Sequence, residues 1–198
     1  MKIQKLMSAM IMLATLSAGS FAHAAEDAPS ANMLVYIHPQ EYNNSIKLWQ
    51  YYKDYWYMQG PLVEAEAKQT LGAEFGDIGM CDENQTAGKA LVWLRPRMFY
   101  NPQVQTYYGS ITAVAYNANG KPIATYKGEA EKMGYLDVYP EKQIMTVYKQ
   151  AMQAVASKMK ADANLQAVLS DTKVSNEAKT PCSMVTLLPA PKIQFMSF

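Results

Sequence analysis

The sequence predicts an α+β domain. An antiparallel sheet is organised on a central hairpin at about 107–130, with a long C-terminal helix at about 140–161 and further helices packed on one face. Two observations carry this expectation. Asn119-Gly120 stands between two alternating apolar stretches, and such a pair tolerates the positive φ of a tight hairpin turn. Downstream, Ile144, Tyr148, Met152, Val155 and Met159 recur at helical spacing after Pro140, a residue suited to a first helical turn.

With Asn119-Gly120 as a two-residue turn, Gly109, Ile111, Ala113 and Ala115 lie opposite Ala130, Gly128, Tyr126 and Ala124. That face is small and apolar, a bed for the long helix. Thr112, Val114 and Tyr116 oppose Lys127, Thr125 and Ile123 on the more polar face. A three-residue loop at 118–120, with Gly120 in a bulge, would shift the register and mix the two faces, so the two-residue turn is preferred.

The other elements follow in order. Residues 33–38 and 89–94 read as short buried strands, each ending near a proline (Pro39, Pro96). Between them, Asn44 or Ser45 can cap a helix on which Ile46, Trp49, Tyr52 or Lys53, and Trp56 share a face. A second helix is expected at 62–71, opened by Gly60-Pro61 and closed by Gly72, before a glycine-punctuated loop. Asn164 caps a short helix to Leu169, residues 170–181 form a polar connector, and 184–188 form a last strand.

The first residues have the pattern of a secretory signal. Lys2 and Lys5 precede an apolar run at 6–16, too short to span a bilayer, and Ala22-His23-Ala24 fits the cleavage rule. The domain layout is therefore a signal at 1–24, a loose lead at 25–32, one α+β domain at 33–188 and a tail at 189–198. The terminal Phe198 is a feature of outer-membrane barrels, but stepping back by twos gives Met196, Gln194 and Lys192, without a steady apolar face. A soluble periplasmic protein, with no membrane insertion, is the expectation.

Two of the 18 basic residues leave with the signal, so 16 basic side chains face 17 acidic ones, a net charge of −1. That near-neutral balance offers no basic field for nucleic acid. Both cysteines, Cys81 and Cys182, remain and are expected to pair in an oxidising compartment.

The residues suited to chemistry are few. His38 is the sole histidine left, which disfavours a histidine zinc site or a Cys-His nucleophile. No Gly-x-Ser-x-Gly elbow, phosphate loop or dinucleotide fingerprint is present, and no cofactor is expected. Asp77, Asp82, Glu83 and Asn84 lack the alternating spacing of a calcium loop. Glu64/Glu66 diverge on a helix, whereas Glu129 and Glu131 share one side of a strand.

The outstanding feature is aromatic. Trp49, Tyr51, Tyr52, Tyr55, Trp56 and Tyr57 are six aromatics in nine residues. On a helix, Trp49, Tyr52 and Trp56 would pack inward and leave Tyr51, Tyr55 and Tyr57 as a contact surface. Arg95 and Arg97, flanking Pro96, are the two arginines of the chain and can grip a carboxylate or phosphate. The function expected is a non-enzymatic binding or accessory protein of the bacterial envelope, meeting a protein or glycan partner through Tyr51, Tyr55, Tyr57, Arg95 and Arg97. The alternatives are an envelope-polymer hydrolase or inhibitor acting through carboxylates, and a structural subunit of a surface assembly.

The exported protein should have lost residues 1–24. Intact-mass measurement checks this; a mass that retains them, or alkali-resistant membrane association, would contradict it.

Overall fold

The computed structural model describes residues 31–81, 87–171 and 181–191. Residues 1–30, where a signal is expected, the acidic residues 82–84, most of the polar connector and the C-terminal tail lie outside the described residues. The chain runs β1 (Ala31–Ile37), α1 (Pro39–Tyr42), β2 (Ser45–Gln50), β3 (Lys53–Met58), α2 (Gln59–Phe75), β4 (Ile78–Met80) and β5 (Gly88–Asn101). It continues through β6 (Thr106–Asn117), β7 (Pro122–Met133), α3 (Pro140–Ala161), α4 (Ala163–Ser170) and a 3-10 turn at Pro181–Leu187. The class is α+β, with a five-stranded sheet of order β4-β1-β5-β6-β7 and a separate two-stranded sheet, β2-β3.

The β6–β7 hairpin holds the expected register: Gly109 faces Ala130, Ile111 faces Gly128, Ala113 faces Tyr126 and Ala115 faces Ala124. Its turn differs. Gly120 alone has positive φ, at 78°, and its N–H donates to Asn117 O at 2.9 Å, while Asn117 N–H donates to Lys121 O. This is the three-residue loop with a bulged glycine. The pairing then slips between Ala115 and Tyr116, so that Tyr116 faces Pro122, and the slip returns the small residues to one face. Two offsets cancel, and the core-facing pattern decides the register of the strands.

Helix α3 has the expected bounds, and its stripe is buried together with Val147 and Ala151. It lies close to the hairpin because glycines make room. A Cβ on Gly128 would run into the Ala151 carbonyl oxygen and come within 2.9 Å of Val155 Cγ2; one on Gly109 would run into Val147. Tyr100 and Tyr107, with ring centroids 4.7 Å apart, donate their hydroxyls to the carbonyls of Gly134 and Tyr135 and so anchor the turn before α3. Tyr139 leads into that helix at φ 48°.

Several expectations are corrected. Residues 44–58 form no helix; they are the antiparallel hairpin β2–β3, closed by Tyr51-Tyr52 with φ 54° at Tyr51. Aromatic and β-branched residues favour strands, and alternation replaces helical spacing. Helix α2 starts at Gln59 and runs through Gly72 to Phe75, where Gly76 at φ 80° ends it. The cap of α4 is Asp162, whose Oδ1 accepts from Asn164 N–H at 2.8 Å. Residues 184–187 belong to the 3-10 turn and form no strand.

The sheet is antiparallel through β5-β6-β7, but β1 runs parallel to both β4 and β5. The β1-to-β4 connection carries α2, a crossover that parallel pairing requires. Residues of α2, α3 and α4 join one core with Val35, Val92, Ala113 and their neighbours. The opposite face, with Leu34, Tyr36, Leu91 and Trp93, is covered by Met184, Val185 and Leu188. The Cys81–Cys182 disulfide, with Cα atoms 5.4 Å apart, fastens that cover to the end of β4. A loop of this size contributes about 4–5 kcal/mol in the chain-entropy account. No helix among the described residues is long and apolar enough to cross a membrane.

Gly128→Ala should destabilise the protein by about 1–3 kcal/mol through overpacking. Gly134→Ala, where an added Cβ meets nothing nearer than 3.4 Å, should change stability by less than about 0.5 kcal/mol. Urea unfolding of the two variants checks the contrast, and equal midpoints would contradict the close packing of α3.

Candidate functional site

Unequal strand lengths create the site. Strand β1 ends opposite Leu94, whereas β5 continues to Asn101 paired with β6. Beyond Leu94, therefore, one side of β5 has no neighbour from β1, and the buried Pro96 is tolerated there within the strand. The expected strand end at Pro96 is instead the point where β5 acquires an open edge. The β2–β3 hairpin occupies that side, and a cleft of about 820 Å³ lies between hairpin and sheet.

Alternation assigns the walls. Met98 and Gly109 point toward α3, so the next residues along each strand point away from it. They form two cross-strand rows, Arg97–Ser110–Glu129 and Phe99–Tyr108–Glu131. Phe99 and Tyr108 stack with centroids 6.1 Å apart. On the hairpin, Ile46, Leu48, Tyr55 and Tyr57 pack on the core. The alternate residues Lys47, Trp49 and Trp56 line the cleft, with Lys47 Nζ 5.9 Å from the Trp56 ring centroid and 3.0 Å from Asp54 Oδ2.

At the cleft floor, α1 supplies Glu41, which is only 2% exposed. Arg97 Nη1 donates to Glu41 Oε1 at 3.0 Å and to the Pro96 carbonyl. Glu41 Oε2 is buried without a hydrogen-bond partner. Behind it, Gln59 Nε2 donates to the Glu41 carbonyl, and the buried Tyr148 hydroxyl donates to Gln59 Oε1 at 2.9 Å. Burial lifts the Glu41 carboxyl above its ordinary value, opposed by the Arg97 hydrogen bond and charge. Glu129 is exposed and held below the ordinary value by Lys127, which binds it.

The expected contact residues therefore separate. Tyr51 is 67% exposed at the hairpin tip, whereas Tyr55 and Tyr57 are half-buried on its inner side. Burial pushes the Tyr57 hydroxyl up to about 12. Trp56 and Tyr52, expected inside, are outside at 62% and 103% exposure. Arg97 lies in the cleft, while Arg95 sits with its guanidinium carbon 5.1 Å from the Trp93 ring centroid. Of the paired carboxylates on α2, Glu64 is bound by Tyr42 and Lys68, and Glu66 is buried. Glu41, Phe99 and Tyr108 carried no motif. Period-two reading of 97–110 would have shown that Phe99 and Tyr108 share the outward face with Arg97; nothing local marks Glu41.

The lifted Glu41 carboxyl has a consequence for stability. The folded state holds this proton to higher pH than the unfolded chain does. Its contribution is complete below the ordinary value of 4.5 and is lost as pH rises through the folded value. Between about pH 4 and pH 7, the wild type should therefore lose more stability than Glu41→Gln. Glu66, also lifted by burial, is common to both proteins and cancels. Urea unfolding across this range checks the difference, and parallel profiles would contradict it.

No family model and no curated protein matches the sequence. Among solved structures, the chain is similar to the PelC dodecamer from Paraburkholderia phytofirmans, with 12% identity and a TM-score of 0.39 over 65% of this chain and 93% of that one. It is also similar to an uncharacterised protein, with 15% identity and a TM-score of 0.36 over 68% of this chain and 94% of the other. At this level of likeness, neither assigns a role to the chain.

Proposed function

We propose that the protein is an exported, non-enzymatic binding protein of the bacterial cell envelope, and that its ligand or partner enters the cleft between the β2–β3 hairpin and the open edge of β5. The observation that carries this reading is the lining: Trp49, Trp56, Phe99 and Tyr108 around a floor made by Glu41 and Arg97. Aromatic walls offer large contact area at small entropic cost, and a few polar groups at the base fix orientation. The disulfide and the signal-like residues 1–24 support export and the periplasm as the place of work. The exposed Tyr51 and Tyr52 at the hairpin tip extend the aromatic surface beyond the cleft.

A second reading, hydrolysis of an envelope polymer, is favoured by one observation. Two carboxyls lining the same cleft are moved in opposite directions, Glu41 up and Glu129 down, as an acid and a base require. Against it, Glu41 is committed to Arg97. Turnover of an envelope polymer by the wild type, abolished in Glu41→Gln, would establish this reading in place of binding.

Trp56→Ala removes an exposed side chain and should change stability by less than about 1 kcal/mol. Association with envelope components should nevertheless weaken about tenfold or more, as loss of an aromatic anchor does. Recovery from envelope extract on immobilised wild type and variant, followed by titration of the recovered species, checks this. Equal affinity for every recovered component would defeat the proposal.

A further inference from the structure

We propose that the cleft selects an organic ammonium: a primary amine carried on an aromatic or ring-shaped apolar body. This rests on the reading of the cleft as a binding site and names the chemistry it takes. The first argument is charge. Three carboxylates line the cleft, Glu41, Glu129 and Glu131, against two cations, Lys47 and Arg97. Each cation is already held by a carboxylate of the protein, Lys47 by Asp54 and Arg97 by Glu41, both at 3.0 Å. Glu129 is in turn held by Lys127, so Glu41, Asp54, Glu129 and Glu131 stand against Lys47, Arg97 and Lys127, and the balance left for a ligand is one negative charge.

The second argument is hydrogen bonding. Glu41 uses Oε1 for Arg97 and leaves Oε2 buried without a donor. An unsatisfied carboxylate oxygen away from water costs more than an ordinary missing bond, so a ligand N–H directed at it gains more than one directed at solvent-exposed oxygen. An ammonium supplies both the donor and the charge. A carboxylate ligand would face Glu41, Glu129 and Glu131 with no cation of the lining outside an existing ion pair.

The third argument is the walls. The faces of Trp49, Trp56, Phe99 and Tyr108 bear the negative side of the ring quadrupole, which attracts a cation and accommodates an apolar body. Lys47 beside Trp56 shows the same attraction within the protein.

The test compares phenethylamine, phenethyl alcohol and 3-phenylpropionate, which share a phenyl ring on a short chain and differ in charge. Each is titrated into the disulfide-bonded protein by calorimetry and by amide chemical-shift mapping at one pH and ionic strength. The amine should bind about tenfold or more tightly than the alcohol, shift cleft amides, and exceed the carboxylate by a wider margin. Glu41→Gln should lower amine affinity about tenfold while leaving the alcohol within about twofold. Equal binding of the three probes by the unaltered protein, with loss on Trp56→Ala, would overturn ammonium selection while leaving the binding cleft in place. Absence of binding and of cleft shifts with all three would overturn ammonium selection and count against the cleft as a small-ligand site. Because the probe comparison uses the unaltered protein, it decides the matter even if Glu41→Gln folds poorly.

Discussion

The structure depends on how closely α3 can approach the β6–β7 hairpin. Two strand positions without a Cβ, Gly109 and Gly128, let the helix backbone settle onto the sheet. That contact orders much else. It buries Ile144, Tyr148, Met152, Val155 and Met159 in one core with α2, and it sets Tyr148 where its hydroxyl can hold Gln59. Gln59 in turn fixes the backbone of Glu41. The packing of the helix is thus linked to the cleft floor by two hydrogen bonds. The small-residue bed trades side-chain volume on the strands for contact along a 22-residue helix, a favourable exchange because many weak dispersion contacts sum.

The cleft arises from mismatch. A sheet with strands of equal length would pair its edges fully and leave no recess. Here β1 has seven residues and β5 fourteen, so half of one side of β5 needs another neighbour. The β2–β3 hairpin fills this role without continuing the ladder: it is a separate two-stranded sheet. Its inner residues join the common core while its outer residues face the recess, so one alternating segment provides both anchorage and a wall of the cleft. Polar groups become useful at such a boundary, where they are sheltered from water yet adjacent to space.

How much was legible in the sequence follows from which signals were unambiguous. The hairpin register was legible because Gly109, Ala113, Ala115 and Gly128 fit one arrangement of faces, which prevailed even though the turn itself took the bulged form. The α3 boundaries were legible because proline and a long stripe coincide. The 44–58 segment was not: Ile46, Trp49, Lys53 and Trp56 satisfy helical spacing while Ile46, Leu48 and Tyr55, Tyr57 satisfy alternation. The Tyr51-Tyr52 turn contains neither glycine nor asparagine to arbitrate. That one choice exchanged the buried and exposed aromatics. The three-residue β4 is too short for periodicity to reveal. Arg97 was recognisable as an anion-gripping side chain, but its partner Glu41 lies 56 residues away and is brought close only by the end of β1.

The disulfide has a further consequence for how the molecule is made. Cys81 precedes Cys182 by 101 residues, so as the chain emerges from its N-terminus the first thiol waits while β5, β6, β7 and α3 follow it. A chain with many cysteines would risk premature, incorrect bridges during that interval. This chain contains two cysteines, so only one intramolecular pairing exists and no internal reshuffling can be needed. Oxidation can therefore act as a final latch, closing once the sheet has brought the C-terminal 3-10 turn against Leu91 and Trp93. The hazard that remains is intermolecular: two unfinished chains could join through Cys81, making speed of folding relative to encounter the quantity that protects the product.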